Sequence, residues 1–215
     1  MAQLQSVRVI LFGIGGVGSW CAEALIRTGL THLTIVDDDL VQASNLNRQL
    51  PATRATVGRP KVEALRERLL SIHPEADVVA RCERVNDEWL AVNDLSDYDY
   101  IIDAIDSVPD KTDLINRASR VRGCKVFSSM GAALRFDPTQ VRVAELFDVK
   151  GDALAKAVRA RMKKLNLKPG KKIRCVYSLE QAQRCETRGS LMQVTAVFGC
   201  TLASLVIQDI KKGAR

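Results

Sequence analysis

Four glycines in the stretch Gly13-Ile14-Gly15-Gly16-Val17-Gly18 separate an apolar run at residues 7–12 from a helical pattern that begins near Ser19. An apolar run of this length, broken only by Arg8 near its start and bounded by a turn signal, reads as a buried strand. Glycines at the first, third and sixth places of the loop allow a tight strand-to-helix turn, a close approach of backbone to an anion, and close packing of helix on strand. The loop therefore predicts a strand–turn–helix unit whose helix amino terminus faces a phosphate.

Residues beyond the glycines narrow the ligand. Asp37 closes the next apolar run, 19 residues after Gly18, where an acidic residue holds a ribose hydroxyl. The chain then carries Ser44-Asn45-Leu46-Asn47-Arg48-Gln49 and Val57-Gly58-Arg59-Pro60-Lys61. Arg48 offers a planar fork and Lys61 a point charge, both suited to a triphosphate, and the Asn45 amide can orient a phosphate or carboxylate oxygen. A hydride-transfer enzyme has no use for this set. The strand Tyr100-Ile101-Ile102-Asp103-Ala104-Ile105-Asp106-Ser107 ends on carboxylates able to hold magnesium through oxygen ligands. Together these residues describe ATP split between its α and β phosphates. Singly, Lys61 is one of 32 basic residues and a first-turn residue after Pro60, and Asp37 is the start of a polar turn. Their spacing relative to the glycine loop, Asn45 and Arg48 selects the functional reading. Asp103 and Asp106 share one strand end, so one of them is free to be structural.

Strands are read at 7–12, 33–36, 77–81, 100–103 and 125–128, and helices near 19–28, 61–72, 88–92 and 111–122. This alternation gives parallel strands joined by crossovers. After Pro138 the pattern changes to an alternating edge strand at 140–146 and a basic helix at 152–165 capped by Asp152. The expected fold is α/β, a Rossmann-like doubly wound, mostly parallel sheet with a C-terminal strand and helix elaboration. In 215 residues this makes one domain, with residues 1–138 as the nucleotide-binding core and 139–215 as the elaboration. The ligand should lie at the carboxyl ends of the strands.

Residues 13–18, Asp37, 44–49, 57–61 and 103–107 resemble the ThiF/MoeB superfamily of adenylating enzymes, along nearly the whole chain. Within it, Gly15-Gly16-Val17-Gly18-Ser19-Trp20, residues 101–107, Phe136-Asp137-Pro138-Thr139-Gln140 and Cys175-Val176-Tyr177-Ser178 resemble the branch that dehydrates threonylcarbamoyladenosine in tRNA. The resemblance implies that ATP activates a threonyl carboxylate of the modified base and that internal attack closes a hydantoin ring with net loss of water. It implies that Gly13, Gly15, Gly16 and Gly18 cradle the nucleotide, that Asp37 binds the ribose hydroxyls, and that Asn45 and Arg48 hold phosphates. Lys61 would hold phosphates or the developing charge, Asp106 the magnesium ion, and Ser107 would lie against the nucleotide. Arg48, Lys61 and Asp106 form the catalytic set. No base is expected for adenylation, because the attacking carboxylate is already ionised at neutral pH; none is assigned for the cyclisation. A monovalent cation is a further candidate cofactor, and a homodimer and a cysteine-desulfurase or sulfur-acceptor partner are candidate partners. Two departures stand out. No arginine-bearing helix is read ahead of the strand at 7–12, which leaves a partner-supplied arginine without a counterpart, and the segment between Ser178 and Gly189 is short.

The six cysteines, at 21, 82, 124, 175, 185 and 200, include no pair at two-residue separation, so no zinc is expected. This favours the tRNA branch over enzymes that adenylate ubiquitin-like carriers. Cys21 and Cys200 read as small core residues. Cys175 and Cys185 each follow an arginine, Arg174 and Arg184, which would stabilise a thiolate, but both read more simply as inert. Part of the net charge of +7 gathers in Arg159, Arg161, Lys163, Lys164, Lys168, Lys171, Lys172 and Arg174, a patch suited to a phosphate backbone and otherwise a solvated helix face. No leader is evident at the amino terminus, and polar residues interrupt the apolar stretch at 191–210, so a cytoplasmic protein with a buried amphipathic helix and no membrane contact is expected. The competing readings are an activating enzyme for a ubiquitin-like sulfur carrier, a nucleotide-binding docking protein without catalysis, and a nicotinamide dehydrogenase that would leave Asn45, Arg48 and Lys61 unexplained.

Overall fold

The computed structural model describes residues 2–183 and 189–213. Its centre is a seven-stranded sheet in the order β3-β2-β1-β4-β5-β7-β6. The strands are β1 (Arg8–Phe12), β2 (His32–Val36), β3 (Asp77–Arg81), β4 (Tyr100–Asp103), β5 (Lys125–Ser129), β6 (Val141–Glu145) and β7 (Arg174–Ser178). The β1–β2, β1–β4, β2–β3, β4–β5 and β5–β7 pairs are parallel, and β6 runs antiparallel to β7. The helices are α1 (Ala2–Ser6), α2 (Gly18–Arg27), α3 (Lys61–Ile72), α4 (Asp87–Val92), α5 (Val108–Ala118), α6 (Ala153–Lys164) and α7 (Met192–Gly213).

The period-2 alternation of strand side chains builds two cores, one on each face of the sheet. Val9, Leu11, Leu33, Ile35 and Ile102 face a core shared with α2, α3 and α7. Ile10, Phe12, Val36, Ile101 and Val126 face a second core shared with α4, α5 and α6. Covering both faces explains why β1 and β4 are continuous apolar runs rather than alternating ones. The strand order reverses between β1 and β4, and a crevice opens at their carboxyl ends.

The doubly wound fold matches the sequence reading, with four differences of detail. β7 carries no alternation from which a strand could be read, because both of its faces are covered. A short helix, α1, precedes β1 where the sequence predicts none, and its residues AQLQS include no arginine. α5 starts at Val108 rather than Lys111, with Ser107 at the N-cap position and Pro109 in the first turn, where proline's missing N–H costs nothing. The fourth concerns α7, which is long and apolar enough, by length and composition, to cross a membrane despite its polar residues. It spends that apolarity inside the protein, burying Val194, Phe198, Leu202, Leu205 and Val206. The short segment noted after Ser178 falls in part outside the described residues, as do Arg184 and Cys185.

α7 crosses α2 at backbone contact. A β-carbon placed on Gly199 would lie 2.5 Å from the Val17 carbonyl oxygen and 2.8 Å from the Cys21 amide nitrogen. Gly199→Ala is therefore expected to force the helices apart and lower the unfolding free energy by about 2 kcal/mol. Urea unfolding of the two proteins checks this, and equal midpoints would contradict the close crossing.

Candidate active site

A cavity of about 540 Å³ lies at the carboxyl ends of the central strands. The turn between β1 and α2 forms its floor. Gly13 adopts a left-handed backbone (φ +86°), and a β-carbon there would lie 2.7 Å from the Ala104 carbonyl oxygen; at Gly18 it would lie 1.8 Å from the Gly13 carbonyl oxygen. No residue with a side chain fits either place. Gly13, Gly15 and Gly16 line the cavity; Gly18 does not, and lies buried beneath the turn that it permits.

Of the remaining residues singled out in the sequence, Asp37, Asn45, Arg48, Lys61, Asp106 and Ser107 all border this one cavity. Asp37, directly after β2, has both oxygens engaged: Oδ2 accepts from the Ile14 amide at 2.5 Å and Oδ1 from the Asp39 amide at 2.9 Å. Burial pushes its carboxyl above the ordinary range, against the lowering pull of Lys61 and of the two amides. The Asn45 side chain is fixed by the Gln42 amide, which donates to Oδ1 at 3.1 Å. Arg48 is braced through Nη1, which donates to the Ser44 carbonyl at 2.9 Å and to Asn47 Oδ1 at 2.8 Å. Lys61, only 5% exposed, donates from Nζ to Asp39 Oδ2 at 2.6 Å. The carboxylates of Asp37, Asp38 and Asp39 gather within 4.8 Å of one another, but the two amides and Lys61 already engage those of Asp37 and Asp39, so the three make a hydrogen-bonded turn rather than a metal site.

The two acids at the end of β4 have different surroundings. Asp103 is fully buried and paired with Lys111 at 2.7 Å. Asp106 is exposed to the cavity and, among the described residues, forms no hydrogen bond or ion pair. A free carboxylate is a hard oxygen donor of the kind magnesium takes.

The far wall lies outside the motifs that the sequence offers. Met130, Gly131, Ala132 and Ala133, beyond β5, border the cavity together with Leu154 and Thr195. Behind them Arg135 is buried against Asp152 at 2.8 Å, and the same carboxylate caps α6 through the Ala155 amide and accepts from the Gly131 amide. The run of small residues after an apolar strand is the one signal that could have found this wall. Arg84, which reaches Asp110 at 3.3 Å beside the cavity, has none.

Several other residues serve the fold. Cys175 is fully buried in β7, and its thiol is pushed up by burial, so it presents no sulfur to a partner. Within the basic run, Arg159 donates to the Leu146 and Val149 carbonyls, Lys171 to the Val121 and Cys124 carbonyls, Arg161 approaches Asp113, and Arg174 lies over the Phe127 ring. Lys163, Lys164, Lys168 and Lys172 remain on the surface.

A glycine turn at the switch point of a doubly wound sheet, with an acidic residue directly after the second strand and an Arg and a Lys lining the same crevice, defines a nucleotide-binding class of protein. Residues 1–213 match the ThiF family, to which the chain belongs. The tRNA threonylcarbamoyladenosine dehydratase of Haemophilus influenzae is 35% identical over 237 residues, which cover 99% of this chain and 88% of that protein. The crystal structure of the Escherichia coli tRNA threonylcarbamoyladenosine dehydratase with AMP superposes with a TM-score of 0.92 at 36% identity, over 100% of this chain and 90% of that one. The E. coli molybdopterin-synthase adenylyltransferase is 34% identical over 62% of this chain and 52% of its own length.

The raised carboxyl of Asp37 has a pH signature. Its folded pKa lies above its unfolded one, so between the two values the native state binds more protons and stability falls as pH rises. Relative to Asp37→Ala, the protein should therefore lose unfolding free energy as pH climbs from about 3.9 through the folded value, and the difference should then level off. Urea titrations of both proteins across this range check the slope, and a difference that grows with pH would refute it.

Proposed function

We propose that this chain is an ATP-dependent tRNA threonylcarbamoyladenosine dehydratase. The observation that carries the reading is the gathering of Asp37, Asn45, Arg48, Lys61 and Asp106 around a single cavity floored by the glycine turn, in a chain whose similarity to dehydratases runs along its whole length.

The ribose hydroxyls would meet Asp37, and the phosphates would run along the glycine turn towards Arg48 and Lys61. A threonyl carboxylate oxygen attacks the α phosphorus and pyrophosphate leaves, giving an acyl adenylate. A ureido nitrogen then attacks the acyl carbon, a proton is lost, and AMP leaves as the hydantoin ring closes. Negative charge builds on phosphate oxygens in the first step. Arg48 and Lys61 are already braced to stabilise it, so little reorganisation is needed when it develops. Asp106 would hold magnesium, which when bound neutralises phosphate charge. The surface lysines Lys163, Lys164, Lys168 and Lys172 would meet the tRNA backbone. We take residues 1–138 and 139–215 as one adenylation domain, acting as a homodimer in the cytoplasm, where its tRNA substrate is found.

The partial similarity to a molybdopterin-synthase adenylyltransferase supports the second reading, an adenylating enzyme for a ubiquitin-like sulfur carrier. Both are tested by incubating threonylcarbamoylated tRNA with the protein, ATP and magnesium and weighing the nucleosides by mass spectrometry. A product lighter by one water is expected, with the rate lowered on the order of 10²–10³-fold in Arg48→Ala. An unchanged nucleoside, alongside pyrophosphate exchange driven by a carrier protein ending in diglycine, would move the chain to the second reading.

A further inference from the structure

Lys111 and Asp103 are both fully buried, and the reaction proposed above uses neither. Lys111 stands in an unfavourable place twice over. It is an ammonium with no exposure to water, and it occupies the first turn of α5, where the helix dipole repels a cation. Replacing such a pair by apolar residues of similar size is often neutral or stabilising, so stability is a weak account of it.

Its hydrogen bonds point elsewhere. Asp103 Oδ1 accepts from the Ile105 amide at 3.1 Å, and Lys111 Nζ donates to the Ile105 carbonyl at 2.8 Å. Both polar backbone groups of one residue are thus held by the two members of one ion pair. Ser128 Oγ donates to Asp103 Oδ2 at 2.6 Å and ties the assembly to β5. Ile105 lies between Ala104, whose carbonyl abuts Gly13, and Asp106, which faces the cavity without a partner among the described residues. Clamping this residue's backbone fixes the direction in which the chain leaves β4 and so where the Asp106 carboxylate stands relative to the glycine turn.

We infer that Asp103 and Lys111 are positioning residues that clamp Ile105 and aim Asp106 at the magnesium–phosphate end of the cavity. The inference rests on the reading of Asp106 as the metal-holding acid. It separates the two carboxylates of one strand end into a working group and a scaffold, and it assigns the buried lysine to the scaffold.

The test removes both charges together, in Asp103→Asn with Lys111→Met, so that neither ion is left buried alone. Calorimetry measures the affinity for ATP with and without magnesium, and the ratio is the magnesium-dependent gain. This gain is expected to fall about tenfold in the neutral pair, the scale on which outer partners of metal ligands act, while affinity for AMP without metal changes less than about twofold. A role in folding alone would lower all affinities equally and leave the gain intact, and that result overturns the inference. Asp106→Asn is measured in parallel. If it keeps the full gain, the reading of Asp106 has failed; if it loses the gain and the neutral pair does not, only the clamp has failed. Should the neutral pair not fold, Ser128→Ala removes one hydrogen bond from Asp103 and is expected to lower the gain about threefold; an unchanged gain there counts equally against the clamp.

Discussion

The backbone contact between the glycine turn and the end of β4 is the constraint on which the site depends. Gly13 touches the Ala104 carbonyl, and Gly18 touches Gly13, so three chain segments meet with no side chain between them. That closeness lets α2 begin directly over β1 and brings the β4 end, with Asp106, to the same crevice as the helix amino terminus. A methyl group at either glycine would push the phosphate-facing amides and the acid apart together. The turn therefore sets the dimensions of the site as well as supplying donors to an anion.

Around that turn the charged groups are held by other parts of the protein. Two amides fix Asp37, Asp39 fixes Lys61, and the Ser44 carbonyl and Asn47 brace Arg48. Residues 37–61, tied to the glycine turn through the Ile14 amide, thus present two cations to the crevice. Asp106 is the exception, and its freedom is informative. A carboxylate meant to take an oxygen-ligated ion needs its lone pairs unspent, whereas one that binds hydroxyls tolerates two amides and burial.

Most of the core was legible in the sequence because the signals were redundant. α3 begins where Pro60 ends an extended segment, and β3 and β4 are short runs bounded by turns. Asp37 and Asp106 come together because they follow the ends of parallel strands, which the glycine loop marks as the working ends, and the connection from β2 to α3 folds Asn45, Arg48 and Lys61 over the same crevice. The misses have physical causes as well. The helix read at 111–122 lies at 108–118, because Pro109 is accommodated in the first turn, where its missing N–H is not needed, and the helix ends at Ala118. β7 lacks alternation because it is covered on both faces, and the burial of Cys175 in it agrees with the reading of that residue as inert. The basic run reads as one surface, yet half of it turns inward to carbonyls, a carboxylate and an aromatic ring, and only tertiary structure decides which way a long side chain bends.

Among the described residues, two ion pairs with both members buried share a logic that composition does not reveal. Asp103–Lys111 lies behind the wall formed by residues 104–107, and Arg135–Asp152 behind the wall formed by residues 130–133. Each carboxylate also accepts from backbone amides, so each pair immobilises a loop that has no regular hydrogen-bond ladder of its own. Apolar packing would stabilise these loops without fixing the direction of their peptides, because it is non-directional. Hydrogen bonds to a buried ion are directional and costly to break. The second pair draws its members from the chain beyond β5, and Asp152 caps α6, whose Leu154 lines the cavity. The later part of the chain is in this way tied to the shape of the cavity as firmly as the glycine turn is.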